Sequence, residues 1–258
     1  MVIVITGVIA GMVAVFIRAP VEGYVDTVAR AELAEAADSA LRRIARDVRG
    51  ALPNSLRPVV ASGGAAWCFE FLPTIGGGRY RVERSSSGGG TPLDFTAAAG
   101  SFDVLAYAGT VPAVGQSVVI YNLGISGADA YEAPATNRAA IAAGSTAASI
   151  TLTPPTQFPF RSPGNRFHVI PNDSVVFTCT GNQLWRTMRP IAANPGGCPA
   201  GGAVLVGNVD CANSGYDYAA AVSQRNGLLS LTLTLTQPGA HGNETIHLSQ
   251  EVLVDNTP

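Results

Sequence analysis

Met-Val-Ile-Val-Ile-Thr-Gly-Val-Ile-Ala-Gly-Met-Val-Ala-Val-Phe-Ile, residues 1–17, is an uncharged apolar run, closed by Arg18 and Pro20. A secretory signal needs a basic segment ahead of its apolar core and a small-x-small cleavage site behind it. No Lys or Arg precedes residue 18, and Arg18-Ala19-Pro20 is a poor cleavage site. An ordinary single-span anchor needs about twenty apolar residues and flanking charges that set its orientation. This run has seventeen residues and no charge on its N-terminal side. The pattern continues instead into an amphipathic segment, so a membrane helix running straight into a soluble helix is expected.

Leu33, Ala37, Leu41, Ile44, Val48 and Leu52 recur at steps of four and three, one apolar stripe at helical period. Glu35, Asp38, Arg42, Arg46 and Arg49 fall largely off that stripe, acids before bases, in the order that suits i,i+4 pairing and the helix dipole. Such a charge run reads as a solvated face; the alternative is a face turned toward a neighbouring subunit. Pro53 and Pro58 end the helix, because proline cannot continue it. The spacing predicts a helix over residues 1–52, with Pro20 and Gly23 as its bend.

Of the 258 residues, 13% are charged, the formal net charge is −2, and 29 are Gly and 17 Pro. That length suffices for one sizeable domain behind the helix. The weak acidic balance argues against nucleic acid as a partner. Lysine is absent, all 16 basic residues being arginine, which excludes P-loop and Schiff-base lysine chemistry.

Beyond residue 59 the signals are those of strands. Trp67–Leu72 and Arg79–Glu83 flank Gly76-Gly77-Gly78 and read as a β-hairpin. Ser174–Cys179 and Gln183–Arg186, joined by Gly181-Asn182, read as a second. Leu229–Leu235 alternates strictly with polar residues and, with Glu244–Leu248, reads as a half-buried antiparallel pair. Those two strands offer the apolar face that the Leu33–Leu52 stripe needs for cover. Further strands are expected at 103–107, 117–121, 149–153 and 168–170, whereas residues 124–146 read as a surface insertion. The layout is three segments: 1–23 for the membrane or a filament core, 24–52 for the amphipathic half of the helix, and 53–258 for a β-rich domain.

The run Met1–Gly11 resembles the middle of a prepilin N-terminal segment. Val175–Cys179, Leu184-Trp185-Arg186, Val204–Val209 leading to Cys211, Gln224–Leu228 and the stretch Val252–Pro258 are similar to the MshO-like minor prepilins of mannose-sensitive haemagglutinin (MSHA) type IV pili, whose layout is shared with J-type pseudopilins of type II secretion. The likeness lies toward the two ends of the chain, and residues 85–165 add little. It implies an α+β, pilin-like fold: a long bent N-terminal helix packed on an antiparallel β-sheet domain. It also implies that Met1 is an internal methionine, preceded in the family by a basic leader, a Gly and Phe-Thr-Leu-Ile-Glu.

The four cysteines, Cys68, Cys179, Cys198 and Cys211, form no CxxC, and His168, His241 and His247 are scattered, so no zinc site is expected. Four cysteines in an exported domain read as two disulfides with three possible connectivities. The resemblance implies Cys179–Cys211, leaving Cys68–Cys198, with a local Cys179–Cys198 bridge as the competing arrangement. No nucleophile elbow, Cys/His pair or carboxylate pair stands out, so neither catalytic residues nor a cofactor are expected. Asp210, Asn213 and Asp217 could ligate calcium, but their spacing is not that of an EF-hand loop.

The resemblance thus implies a minor pilin taking part in type IV pilus assembly near the tip. It would be anchored through residues 1–17 in a bacterial inner membrane, single-pass, with the C-terminal domain in the periplasm before it joins the filament. Its partners would be other minor and major pilins and the inner-membrane assembly machinery. The alternatives are a minor pseudopilin of type II secretion and an anchored periplasmic adhesin or enzyme.

Overall fold

The computed structural model describes residues 2–220, 226–239 and 242–258, with helix residues 14, 15 and 17–22 described as backbone alone. Met1, Gln224, Arg225 and His241 therefore lie outside the described residues, as does the side chain of Pro20. Val2–Arg49 forms one helix, α1. Alanine at 29, 31, 34, 36, 37, 40 and 45 gives its second half strong helix propensity, and Arg46 and Arg49 in the last turn suit the dipole. The backbone stays helical through Pro20 and Gly23.

The helix stops at Arg49, before the expected end at Leu52. Gly50 N donates to Asp47 O (3.1 Å) and Ala51 N to Val48 O (3.0 Å), and Ala51 then forms a bridge with Pro73. Leu52 is fully buried, but in a separate cluster with Leu72, Val119, Ala130, Tyr131 and Ile170 rather than with the rest of the stripe.

Among the described residues, fourteen strands follow: β1 (Arg57–Val60), β2 (Trp67–Phe71), β3 (Gly76–Tyr80), β4 (Ala99–Gly109), β5 (Gln116–Val119), β6 (Arg138–Ala140), β7 (Ser149–Thr156), β8 (Arg166–Pro171), β9 (Asp173–Thr180), β10 (Gln183–Pro190), β11 (Ala203–Gly207), β12 (Gly215–Ala219), β13 (Gly227–Gly239) and β14 (Gly242–Val254). They make three antiparallel sheets: five strands in the order β1-β2-β9-β10-β11, three in the order β12-β13-β14, and six in the order β6-β5-β8-β3-β4-β7. A bridge between Ile141 and Leu152 draws the two edges of the six-stranded sheet together, so that it nearly closes into a barrel.

The expected α+β, pilin-like fold, with a long bent helix on one antiparallel sheet domain, is corrected by this architecture. The chain is mainly antiparallel β. The near-barrel fills its own interior with Tyr80, Phe102, Val118, Ile150, Phe167 and Val169, a core separate from the helix. Among the described residues, the helix packs on the other two sheets. Leu33, Ala37, Leu41, Ile44 and Val48 join a cluster with Phe69, Phe177, Leu229, Leu231, Leu233, Leu235, Val252 and Val254. Contact begins near the tip of β13–β14, where Gln237 Nε2 donates to Ala29 O (3.1 Å) and Arg30 pairs with Glu244.

The first expected hairpin is also corrected. β2 pairs with β1 and β9, whereas β3 pairs with β4 and β8 in a different sheet. Gly76-Gly77-Gly78 is not a turn but the body of β3. A Cβ at Gly78 would lie 2.1 Å from the Ala106 carbonyl oxygen and 3.1 Å from the Phe167 ring, so neighbouring strands exclude any side chain there. Residues 124–146 are likewise more than a surface insertion: they supply β6 and the buried Ala128, Ala130 and Tyr131.

Candidate functional site

Among the described residues, the side chains from Val2 to Phe16 are exposed. Val2 is 75% exposed, Ile3 86% and Phe16 78%. Apolar in sequence and exposed at its described side chains, this segment is a contiguous hydrophobic surface, the kind that marks an interaction site. Among the described residues, no helix is long and apolar enough to cross a membrane.

The second half is divided by face. Leu33, Ala37, Leu41, Ile44 and Val48 are at most 3% exposed, and Ala40 and Ala45, which the stripe omitted, are buried beside them. Arg42, Arg43, Arg46 and Arg49 stand exposed. Asp47 joins this helix to the five-stranded sheet through Arg186, whose Nε donates to Oδ2 at 2.7 Å.

Cys179 is bridged to Cys211 and Cys68 to Cys198, each pair with Cα atoms 5.6 Å apart, and no cysteine is free. Disulfides persist where the environment is oxidising, so the domain is extracytoplasmic. The Cys68–Cys198 bridge fastens the segment between β10 and β11 over the sheet. The same segment is gripped by two arginines: Arg57 donates to Ala192 O (2.7 Å) and Ala193 O (3.0 Å), and Arg189 to Pro195 O (2.9 Å) and Gly197 O (3.0 Å).

Both arginines converge on Glu70, which is 1% exposed on β2. Arg57 Nε lies 2.5 Å from Oε1, Arg189 Nε 2.8 Å from Oε2, and Ser174 Oγ donates to Oε2 at 3.2 Å. The Arg57 guanidinium also sits 3.5 Å from the centre of the Tyr131 ring. Burial holds the Tyr131 phenol well above its ordinary pKa, Glu70 adding in the same direction and Arg57 opposing. An acid flanked by Phe69 and Phe71 in a short apolar strand was the available signal for a buried ion cluster, and the sequence reading missed it.

A cleft of ≈ 320 Å³ adjoins this cluster, lined among others by Asn54, Arg57, Asp129, Tyr131, Tyr218 and Asn256. Its polar groups satisfy one another. Asn54 N donates to Asn256 Oδ1 (3.0 Å), Asn256 Nδ2 to Tyr218 Oη (3.2 Å), Tyr131 N to Asp129 Oδ1 (2.9 Å) and Tyr131 Oη to Ser55 O (3.1 Å).

Of the residues weighed for calcium, Asp210 and Asn213 come together while Asp217 lies exposed on β12. The Asp210 carboxylate caps its own loop: Oδ1 accepts from Ala212 N (3.1 Å) and Asn213 N (3.2 Å), and Oδ2 from Asn213 Nδ2 (2.8 Å). Hydrogen bonds from the Asn213 side chain and backbone hold its pKa below the ordinary range. Among the described residues, no group of three or more His, Cys, Asp or Glu is placed to hold a metal ion. His247 Nδ1 lies 2.8 Å from Thr234 Oγ1. His168, on β8, is half-buried, its Nε2 buried and without a partner among the described residues; burial, then the nearby Arg166 charge, push its pKa down to about 4 against the opposing pull of Asp255.

No protein-family model, no curated protein and no solved structure matches the chain.

Proposed function

We propose that this chain is a minor pilin subunit that takes part in assembling a type IV, MSHA-like pilus. In this reading the apolar half of α1 sits first in the inner membrane, the domain lies in the periplasm, and the same helix then enters the filament core. The function is assembly rather than catalysis. The observation that carries the reading is the bare apolar helix from Val2 to Phe16 on a disulfide-bonded domain. An apolar helix exposed all round is costly in water and needs lipid or other helices around it.

Partners are accordingly other pilins carrying similar helices, together with the membrane machinery that loads them. The test is to delete the gene in a piliated host and to express the chain with an epitope tag. Fewer surface pili, with the tagged chain in sheared pili and in inner-membrane fractions, is the expected result. Normal piliation with loss of exoprotein release assigns the chain to a secretion pseudopilus instead. Normal piliation and normal secretion overturn both assignments.

A further inference from the structure

Among the described residues, β14 is a sheet edge with no strand beyond it. It runs for thirteen residues, whereas the outer strands of the five-stranded sheet, β1 and β11, have four and five. β12, the other edge of its own sheet, has five residues and is closed by Ser62. Tyr216 N donates to Ser62 Oγ (2.7 Å), which donates in turn to Tyr216 O (2.8 Å). The outer strands of the near-barrel meet at Ile141 and Leu152. Open edges are ordinarily kept short, bulged, or interrupted by proline or lysine. β14 pairs with β13 from Gly242 to Val254 without a register shift and contains neither proline nor lysine.

The phase of the ladder decides which backbone groups face outward. Asp210 N donates to Thr234 O (2.9 Å) and Thr236 N to Asn208 O (2.8 Å), so the even-numbered residues of β13 point away from β14. Its odd-numbered residues bond β14, and Leu233 and Leu235 lie opposite Leu248 and Ile246. Along an antiparallel strand, successive residues turn both backbone groups alternately to one side and the other. The N–H and C=O groups of Asn243, Thr245, His247, Ser249, Glu251 and Leu253 therefore face the open side. All six residues are exposed, and among the described residues no hydrogen bond reaches these backbone groups.

We infer that this edge takes an extended strand of another polypeptide, which continues the three-stranded sheet and sets a basic residue opposite Glu251. In strand addition of this kind main-chain hydrogen bonds supply the affinity and alternate side chains the specificity. Glu251 makes no ion pair among the described residues. On the same row His247 is held through Nδ1 by Thr234 Oγ1 (2.8 Å). β14 contains no arginine, so β14 of a second copy matches the length without bringing the base. β1 and β11 of a second copy are too short to fill the edge. The occupant is accordingly a different chain, and the inference does not depend on the subunit reading.

The test reads hydrogen exchange at single amides of the full chain in detergent micelles, alone and with two synthetic peptides. Both peptides alternate threonine and valine over the length of the edge; one carries an arginine at its centre and the other a glutamate. In the chain alone, the amides of the six outward residues should exchange freely. The arginine peptide should slow them several-fold and the glutamate peptide much less, with the preference inverted in Glu251→Arg. Ser249→Pro removes an outward N–H and costs β13 no bond, so it should fold and bind neither peptide. If that variant does not fold, the inversion in Glu251→Arg decides. Slow exchange in the chain alone, or protection that rises with its concentration, overturns the inference, the latter in favour of a second copy. No slowing by either peptide, equal slowing by both, or undiminished binding by folded Ser249→Pro overturns it as well.

Discussion

Arg189 on β10 reaches across β9 to Glu70 on β2, its Nε 2.8 Å from Oε2, while Arg57 grips the other carboxylate oxygen from β1. One buried acid thus ties together four adjacent strands of the five-stranded sheet, with Ser174 of β9 completing the set.

Glu70→Gln leaves two guanidinium groups without their counter-charge in a site where Glu70 is 1% exposed. Breaking a buried pair by removing one partner costs about 3–5 kcal/mol. Urea unfolding of the variant should show a loss of that size. A change below about 1 kcal/mol would mean that the carbonyls of residues 192–197 satisfy the arginines unaided.

Gly78→Ala should be poorly tolerated, since its Cβ would sit 2.1 Å from a backbone oxygen that cannot swing aside. Overpacking of this kind costs roughly 3 kcal/mol. Gly207→Ala, with nothing within 4 Å, should change stability by less than about 0.5 kcal/mol. Thermal melts of the two variants make the comparison; equal shifts would show that β3 relaxes freely within the near-barrel.

His168 supplies a pH dependence of definite sign. Its pKa falls from 6.5 in the unfolded chain to about 4 in the folded one. Above 6.5 both states are neutral and nothing is lost. As pH falls from there toward 4, the unfolded chain takes up a proton that folded His168 refuses, and stability drops by up to about 3 kcal/mol. In His168→Gln this component vanishes, so the stability difference between variant and parent should move in the variant's favour between pH 7 and pH 4. A difference that stays constant across that window would place the imidazole in water.

Ile44→Asp and Arg46→Glu separate the two faces of α1. Ile44 is 0% exposed, and an acid there loses the burial and gains an unpaired charge, worth roughly 4 kcal/mol or more. Arg46 is exposed, and its reversal should leave the melting temperature nearly unchanged. Similar losses in both variants would mean that the charged face, too, packs against something.

What could be read from the sequence was what local rules write into it. The Leu33–Val48 face follows a helical period, and Gly181-Asn182, both at positive φ (57° and 62°), announce the β9–β10 turn. The Gly76–Gly78 run misled because its cause is distant: the space for its side chains belongs to Ala106, Tyr107 and Phe167, contacts that no local window contains. Closure of the near-barrel through Ile141 and Leu152 is invisible for the same reason. Leu52 fitted the period by accident, three residues past the helix end, and is buried for a different purpose. Fold class went astray because the strands expected at 103–107, 117–121, 149–153 and 168–170 carry no local sign that they join β3 and β6 in a near-barrel with a core of its own.

The inner face of α1 and its cover are far apart in time as well as in sequence. Leu33–Val48 leaves the ribosome some 180 residues before Leu229–Leu235 and Val252–Val254, which close over it. At about 5–20 residues per second, the helix waits roughly 10–40 s for its partner strands. Pairings at such sequence distance are also slow to form once made available. Throughout that interval the nascent chain presents two apolar surfaces, the bare segment 2–16 and the unfilled stripe, and only the second is ever satisfied from within.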